Sequence, residues 1–336
     1  MQKKTVRFTN TSVDYYFAGG FSHLKEIVDK RNTFILTDEH VFKLHEKRFK
    51  NWDTIVLKPG EEFKVQATVD SVIEQLIALG ADRKATLVGV GGGVITDLTG
   101  YIASVYMRGI SFGFVPTTLL ALVDASIGGK NGIDVGVYKN MVGTIRQPGF
   151  ILHDLVFLNT LPDHEWRNGF AEIIKHAAIK DASLFKELEQ HDIAFYQKRK
   201  TMACQLVQRN ALLKTRVVQS DEFEKGDRKL LNFGHTLGHA LENQYELSHG
   251  EAISIGMAYA AKLSQELLHF RHASKVSNLL AQYGLPITAL FDKEKAINVL
   301  KMDKKKEADT IHFILLERIG RAVIKPISIS QLYQVI

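Results

Sequence analysis

The strongest constraint on the fold is the alternation of short apolar strands with amphipathic helices in the first half of the chain. Buried-strand patterns occur at 33–37, 53–57, 85–90 and 112–115, and the segment 65–79 has helical spacing of its apolar residues. Strands that alternate with helices are typical of a parallel sheet covered on both faces. The sequence therefore predicts an α/β first domain with a mostly parallel sheet.

The pattern changes near Leu161–Pro162, and helical spacing dominates from there to about residue 306. Clear helical runs occupy 165–179, 201–218 and 253–268, and a hairpin is expected around Gly320. The sequence thus predicts two domains, 1–160 and 161–336, of which the second is mainly α-helical. Ligands of open α/β sheets bind beyond the carboxyl ends of the strands, which is where the ligand site is expected.

Composition narrows the class of protein further. Of the 336 residues, 45% are hydrophobic and 24% charged, as in ordinary globular proteins. The chain has no apolar run of transmembrane length, no signal peptide at its start, and one cysteine, Cys204, which together favour a cytoplasmic protein without membrane contact. The net charge is +6, but the basic residues are scattered and lack an aromatic platform. We therefore expect small anionic substrates rather than nucleic acid.

A glycine-rich turn follows the third predicted strand. Gly91, Gly92 and Gly93 are adjacent, and a helix with Asp97 one turn further on follows them. Such a turn allows close backbone approach, and free N–H groups at a helix start bind phosphate. A tight strand-to-helix turn without a ligand is the alternative, because this is not the G-x-G-x-x-G pattern. The position after a buried strand favours pyrophosphate binding.

The segment 115–140 places charged residues in apolar surroundings. Asp124 and Lys130 are embedded in an apolar stretch, where an unpaired charge is costly. An Asp–Lys pair with a purely structural role is one interpretation. A ligand-facing loop is the other, in which Lys130, Lys139 and Asn140 hold a phosphate or hydroxyl groups.

The histidine-rich segment near residue 235 carries the strongest chemical signal. Arg228, Asn232, His235 and His239 are spaced four, three and four, so a continuous helix would align them in one polar stripe. His249 follows ten residues later, and three histidines so close together suit a divalent metal. Helix-surface histidines without a ligand role are the alternative.

A carboxylate is needed to complete a typical catalytic metal site. Glu172 lies on a predicted helix one turn before Lys175, with apolar Ile173 and Ile174 between them. Such a pair is usually a surface ion pair, so its spacing alone does not establish a site.

Together these segments resemble the dehydroquinate synthase family, from about Thr37 to at least Lys305. The resemblance rests on motifs that occur in the family's order. They are Gly91-Gly-Gly-Val94 with Asp97, Tyr106-Met-Arg108-Gly, Pro116-Thr-Thr-Leu, Asp124-x-Ser-Ile-Gly-Gly-Lys130, Lys139-Asn140, Asn168-Gly with Glu172 and Lys175, the stretch from Arg228 to Glu242, and His249-Gly-Glu-Ala.

The resemblance implies a Rossmann-like first domain, an α-helical second domain, a cytoplasmic homodimer, one NAD and one divalent metal, zinc or cobalt. It implies Glu172, His235 and His249 as the metal ligands. The residues that it implies for NAD are Asp38, Glu61, Lys64, Gly92, Gly93, Val94, Asp97, Thr117, Thr118, Lys139, Phe157 and Thr160.

The substrate residues are likewise implied by the resemblance. Arg228, Asn232 and Lys214 would bind a carboxylate, and Asp124 and Lys175 would bind hydroxyl groups. Arg108 would reach the neighbouring subunit's site. The residues implied for the phosphate are Lys130, Asn140, His239 and Lys305.

The implied reaction converts 3-deoxy-D-arabino-heptulosonate 7-phosphate to 3-dehydroquinate and phosphate. Its steps are transient oxidation by NAD, phosphate elimination, re-reduction and intramolecular aldol closure. Three alternatives stay open: an aminodehydroquinate synthase, a cyclase for a sugar phosphate without a carboxylate, and a metal-dependent glycerol-phosphate or alcohol dehydrogenase. A non-catalytic NAD-binding protein would need a lost metal ligand, and none is missing.

Overall fold

The computed structural model describes residues 1–136, 138–242, 244–302, 306–307 and 310–335. The chain forms two compact units. The first comprises Met1–Pro162 and Lys200–Phe223, and the second comprises Asp163–Arg199 and Glu224–Ile336. Within the described ranges, no helix is long and apolar enough to cross a membrane.

The first unit is built on a mostly parallel sheet, as the sequence predicts. Numbered along the chain, its strands are β1 (Gln2–Arg7), β2 (Ser12–Phe17), β3 (Thr33–Asp38), β4 (Asp53–Leu57), β5 (Thr86–Gly91), β6 (Ser111–Pro116) and β9 (Phe150–Leu152), and a separate hairpin is formed by β7 (Lys130–Val135) and β8 (Tyr138–Ile145). Among the described residues this sheet has seven strands, in the order β1-β2-β9-β6-β5-β3-β4. Only the edge pair β1–β2 is antiparallel among the pairs of this sheet that the structure describes.

Burial explains why the strand patterns differ along this sheet. The interior strand β3 is buried along nearly its whole length, whereas the edge strand β4 buries only Ile55 and Leu57. Strands covered on both faces require continuous apolar runs, and an edge strand does not. The helices of this unit, again in chain order, are α1 (Leu24–Ile27), α2 (Glu39–Phe49), α3 (Gln66–Ala78), α4 (Gly93–Val105) and α8 (Lys200–Ser220).

Helix α8 corrects the predicted domain boundary, since the sequence predicts 161–336 as one continuous second domain. In the structure, α8 belongs to the first unit. Thr215 Oγ1 donates to the Tyr15 hydroxyl at 3.0 Å, and Lys214 contacts Asp124. Helical periodicity predicted a helix at 201–218, but not which unit that helix belongs to.

The second unit combines helices with a short antiparallel sheet. Its core joins Leu237, Leu241 and Ile255 of the helices to Phe313 and Leu315 of the sheet. The elements are α5 (Asp163–Lys180), α6 (Ala182–Leu188), α7 (Ile193–Lys198), α9 (His235–Glu242), α10 (His249–Leu268), α11 (Ala273–Gln282), α12 (Lys293–Met302), β10 (Lys306–Glu307), β11 (Thr310–Arg318), β12 (Arg321–Ser328) and α13 (Ile329–Val335). The hairpin expected around Gly320 is β11–β12.

Strand order locates the expected ligand edge of the first unit. From β3 the chain goes to β4 on one side, then returns to β5, β6 and β9 on the other. The reversal therefore lies between β3 and β5, which pair in parallel with Thr37 opposite Val90. Ligands of open α/β sheets bind at such a reversal, beyond the carboxyl ends of the strands.

Candidate functional site

Residues expected to bind NAD gather at this reversal. Asp38 ends β3 and caps α2, since its Oδ1 accepts from Val41 N at 3.0 Å, and burial raises the pKa of its carboxyl. On the next strand, Gly92 is the N-cap of α4. The N-terminus of this 13-residue helix therefore offers backbone N–H groups for an anion. Gly93 and Val94 form its first turn.

The end of β6 completes the same edge. Gly91 of β5 pairs with Pro116 of β6, and Thr117 N donates to Gly91 O at 2.9 Å. A Cβ at Gly92 would lie 3.1 Å from Thr118 Cγ2. The glycine turn and the two threonines therefore line one short stretch of the sheet edge, as expected for a nucleotide site.

Lys64 is the centre of a charged network in the same unit. Its Nζ lies 2.5 Å from Glu61 Oε1, 3.6 Å from Asp97 Oδ2 and 3.7 Å from Asp134 Oδ1. It also donates to Asn140 Oδ1 at 3.0 Å. The sequence singled out four of these five residues for a ligand site, but it did not identify Asp134, which stands in a strand pattern without a recognisable motif.

Burial and charge set the pKa values in this network. Burial raises the pKa of Asp97 to about 7, and the neighbouring carboxylates of Glu61 and Asp134 add to that effect against the opposing influence of Lys64. Burial acts to lower the pKa of Lys64, but the carboxylates of Asp97, Glu61 and Asp134 outweigh it, so the pKa is raised. Lys64 therefore stays charged, while Asp97 can exchange a proton near neutral pH.

The segment with embedded charges forms regular structure over much of its length, which corrects the expected loop, while its contact with a ligand stays a prediction. Ala121–Ala125 forms a π-helical turn, and Lys130 begins strand β7. Asp124 Oδ1 lies 2.8 Å from Lys214 Nζ, which also donates to the Asp124 carbonyl at 2.9 Å. π-Helical turns are frequent at functional sites, and this one fixes Asp124 against α8.

The remaining expected residues of the first unit differ in exposure. Lys139 is exposed on β8, and Arg108 is exposed in a turn with left-handed φ angles at Met107 (48°) and Arg108 (66°). Phe157 is buried in the core, whereas Thr160 is exposed and its hydroxyl lies 2.9 Å from His45 Nε2.

In the second unit, three expected metal ligands converge. Glu172 of α5 is fully buried, and its Oε1 lies 3.5 Å from His235 Nε2 and 3.2 Å from His249 Nε2. One donor atom from each of the three lies within 4.8 Å of the others. A carboxylate and two imidazoles at such separations form the donor set of many catalytic divalent-metal sites.

Further contacts orient both imidazoles. His235 Nδ1 donates to the carbonyl oxygen of Phe233 at 3.2 Å, and His249 Nδ1 faces Glu242 Oε2 at 3.6 Å. Each ring thus directs Nε2 towards Glu172. Metal-binding histidines commonly hold their second nitrogen in this way. The residues therefore fit a divalent metal.

Electrostatics separate the two histidines. Burial, with Lys175 nearby, places the pKa of His235 well below its ordinary value. Burial also acts to lower the pKa of His249, but Glu172 and Glu242 outweigh it and raise that pKa to about 9. At neutral pH and without a metal ion, His235 is therefore neutral and His249 is protonated.

Close packing of α10 on α5 brings His249 to Glu172. Ser248 caps α10 by accepting from Glu251 N, so His249 is the first helical residue. The next N–H, of Gly250, donates to Asn168 Oδ1 of α5 at 3.1 Å. A Cβ at Gly250 would lie 2.6 Å from Asn168 Cα, so only glycine fits here. Asn168 and Gly250 matched family motifs, but their sequence pattern indicated no role in positioning.

The continuous helix that would align Arg228, Asn232, His235 and His239 in one polar stripe does not form, so this prediction is wrong. Arg228 and Asn232 lie in a 3-10 turn, Asp227–Asn232, and α9 begins only at His235. Gly234, with φ of +81°, separates the two segments because a left-handed residue cannot continue a helix. The break rotates Arg228 and Asn232 out of the helical register of the histidines.

Of the other residues expected in this unit, Lys175 and His239 lie next to the three candidate metal ligands, and Arg228 and Asn232 precede His235 in sequence. Lys175 is 2% exposed and pairs with Glu172. The His239 ring centroid is 5.2 Å from that of His235. Arg228 is 3% exposed, and Asn232 Nδ2 donates to Glu224 Oε1 at 2.8 Å. Lys305 lies outside the described residues.

Solved structures share this fold over nearly the whole chain. The protein is similar to 2-epi-5-epi-valiolone synthase from Streptomyces hygroscopicus subsp. jinggangensis 5008, solved with NAD+ and Zn2+ (27% identity, TM-score 0.88, 100% of this chain and 98% of that one). It is also similar to a 2-deoxy-scyllo-inosose synthase solved with carbaglucose-6-phosphate, NAD+ and Co2+ (26% identity, TM-score 0.86, 99% of each chain). An iron-containing alcohol dehydrogenase (14% identity, TM-score 0.65, 90% of this chain and 93% of that one) shares the fold alone. The chain thus has the fold of a class that includes cyclases and dehydrogenases.

Sequence comparison identifies the family within that class. The 3-dehydroquinate synthase N-terminal model matches residues 54–168, and the C-terminal model matches residues 169–306. The 3-dehydroquinate synthase of Halalkalibacterium halodurans is 40% identical over 87% of this chain and 84% of that protein. That of Campylobacter concisus is 42% identical over 81% and 79%. The chain belongs to the 3-dehydroquinate synthase family, which confirms the resemblance noted from its motifs.

Proposed function

We propose that this protein is a 3-dehydroquinate synthase, which converts 3-deoxy-D-arabino-heptulosonate 7-phosphate to 3-dehydroquinate and phosphate. It uses NAD and a divalent metal, zinc or cobalt. The observation that carries the proposal is the buried Glu172 facing two oriented imidazoles, in a chain of this family. When bound, the metal supplies a Lewis acid for substrate hydroxyl groups, and NAD supplies a reversible hydride acceptor.

The first unit binds NAD in this proposal. Support comes from the sheet reversal between β3 and β5, the α4 N-terminus behind Gly92 and the polar groups of Asp38, Thr117 and Thr118. Glu61 and Lys64 bind the adenosine side, an assignment that comes from the family resemblance and is supported by their direct ion pair. The residues that complete the proposed NAD set are Gly93, Val94, Asp97, Lys139, Phe157 and Thr160.

The chain's own residues bind and orient the substrate. Arg228, Asn232 and Lys214 bind its carboxylate, an assignment that comes from the family resemblance and suits the hydrogen-bond donors of these side chains. Asp124 and Lys175 bind hydroxyl groups. The phosphate is bound by Lys130, Asn140, His239 and a lysine of the segment that includes Lys305. Holding the substrate in one conformation favours elimination and ring closure over side reactions.

We further propose a cytoplasmic homodimer in which Arg108 reaches the neighbouring subunit's site. The exposure of Arg108 in a turn of left-handed residues supports this assignment. Sedimentation of the purified protein measures the assembly. Mixing inactive Arg108→Ala and inactive Glu172→Gln chains tests the shared site, because mixed dimers regain one intact site in each pair.

One experiment tests the reaction. Purified protein receives the substrate, NAD and zinc, and phosphate and dehydroquinate are followed together. We expect equal amounts of both, without NADH accumulation, and loss of activity after chelation. Glu172→Gln should lower turnover at least about a thousandfold, because it removes the ligand carboxylate. Glu266→Gln, an exposed change on α10, is the control.

The same assay, repeated with the substrate of each alternative enzyme, separates the alternative cyclases. Relatives named 3-dehydroquinate synthase are 40% and 42% identical to this chain, whereas the valiolone and inosose synthases are 27% and 26% identical. Turnover only of a carboxylate-free sugar phosphate, or only of the aminated substrate, would refute the proposal. Bulk formation of NADH would instead indicate a dehydrogenase.

A further inference from the structure

We infer that Asp134 is a positioning residue, whose side-chain oxygen holds Asn140 and, through it, Lys64 in the geometry needed for binding. The inference rests on the proposed function, which assigns Asn140 to the substrate phosphate and Lys64 to NAD. Asp134 is 9% exposed and belongs to β7, while Asn140 belongs to β8.

The two strands are out of register at this point. Ile133 pairs with Val142, and Val135 pairs with Tyr138. One residue of β7, Asp134, therefore faces three residues of β8, 139–141. Such a bulge interrupts the ladder and redirects the side chains within it. Lys139 and Asn140, both expected to contact ligands, lie in the bulge.

Asp134 supplies the hydrogen bonds that the interrupted ladder lacks. Its Oδ1 accepts from Asn140 N at 2.7 Å, and its own backbone N donates to the Lys64 carbonyl at 2.8 Å. Lys64 Nζ closes the circuit by donating to Asn140 Oδ1 at 3.0 Å. Lys64, which is about 70 residues away in sequence, is thereby connected to Asp134 and Asn140 in one ring of hydrogen bonds.

The backbone of Asn140 needs this support. Its φ is +55°, in the left-handed region that most residues avoid and that asparagine tolerates best after glycine. The bond from Asp134 fixes the peptide of Asn140 in that conformation, which leaves its side chain directed at Lys64. Lys64 is also paired with the carboxylates of Glu61 and Asp97, so the negative charge of Asp134 is not essential to hold it. The feature of Asp134 that this inference requires is therefore its hydrogen-bond acceptor oxygen.

Two variants separate the acceptor from the charge. Asp134→Asn keeps an acceptor oxygen and removes the charge, whereas Asp134→Ala removes both. We expect Asp134→Ala to lower kcat/KM at least about tenfold, mainly through a higher KM, and to weaken NAD binding, since loss of a buried acceptor disorders the bulge. Asp134→Asn should stay within about threefold of the unchanged protein. Asp53→Ala, at an exposed strand position, is the control.

Amide hydrogen exchange gives a readout that does not depend on activity. In peptides covering 139–142, we expect protection of the Asn140 amide in the unchanged protein and in Asp134→Asn, and its loss in Asp134→Ala. Unchanged exchange in Asp134→Ala, or lost protection in Asp134→Asn, would overturn the inference. If the unchanged protein forms no dehydroquinate but the exchange pattern is as expected, the proposed function fails while the positioning of Asn140 stands.

Discussion

We predict that Glu242 influences how strongly a proton competes with a metal ion at His249. Glu172 and Glu242 together raise the pKa of His249 to about 9 against the effect of burial. Metal binds only the neutral imidazole, so binding at lower pH must first displace this proton. At pH 7, two units below that pKa, the cost is about 2.7 kcal/mol, or a factor of about 100 in apparent affinity. Because 30% of the His249 side chain is exposed, this figure is an upper value.

Zinc affinity should increase up to about tenfold per unit from pH 7 and level off near pH 9, where His249 is already neutral. Glu242→Gln removes one of the two carboxylates, so the levelling point should move to lower pH. Above pH 9 the variant should bind zinc about 10- to 100-fold more weakly, because a lost partner of a ligand histidine reduces metal affinity by that factor. Near pH 7 the lower pKa of His249 in Glu242→Gln favours zinc binding, whereas the loss of its partner weakens it. The zinc affinities of the variant and of the unchanged protein should therefore become more similar at this pH.

Competition with a chelator of known affinity, at half-unit steps from pH 6.5 to 9.5, measures both curves in stripped protein. Glu246→Gln is the matched control, since Glu246 is exposed and lies four residues further along the chain. A Glu242→Gln curve that is parallel to that of the unchanged protein at every pH would refute the reasoning, because it would show that Glu242 has no influence on the proton at His249.

Two further predictions concern the packing behind the site and the stability of the first unit. Gly250→Ala should destabilise the protein by about 1–3 kcal/mol and weaken zinc binding, because its Cβ would collide with Asn168 of α5; thermal melting and chelator competition measure the two effects, and unchanged values would contradict the packing argument. Burial lowers the pKa of His153 to about 4 in the folded state, against about 6.5 in the unfolded chain. Below pH 6.5 the unfolded chain therefore binds a proton that the folded protein does not, and the free energy of unfolding decreases as the pH falls. Between pH 6.5 and 5 the loss should be about 2 kcal/mol, seen as a steeper pH dependence of the unfolding free energy than in His153→Phe, and equal slopes would contradict it.

Local pattern predicted the elements that depend on local chemistry. Strand β4 has the bounds expected, 53–57, and α3 differs from 65–79 by one residue at each end. Periodicity and turn residues determine such elements because a strand or helix must bury one face whatever surrounds it. The motifs likewise identified the family, and the site residues that they imply stay predictions.

Tertiary structure alone decided the relations between distant segments. The antiparallel β1–β2 edge and the assignment of α8 to the first unit depend on contacts such as Thr215 with Tyr15, which no local pattern contains. Arg228 and His239 do not share one helical stripe, because residue spacing assumes a continuous helix, whereas the 3-10 turn ends at Asn232 and Gly234 lies in the left-handed region before α9.

The metal cluster shows the division most clearly. Sequence by itself determined that histidines and a carboxylate suited to a divalent metal are present, and family resemblance selected Glu172, His235 and His249. Only the fold decided the direction of each imidazole, through Phe233 O for His235 and Glu242 for His249. It also decided that Asp134 supports Asn140 across a bulge. The physical reason is that sequence specifies which groups can bond, whereas a bond with a defined direction exists only after packing has brought its two atoms within reach.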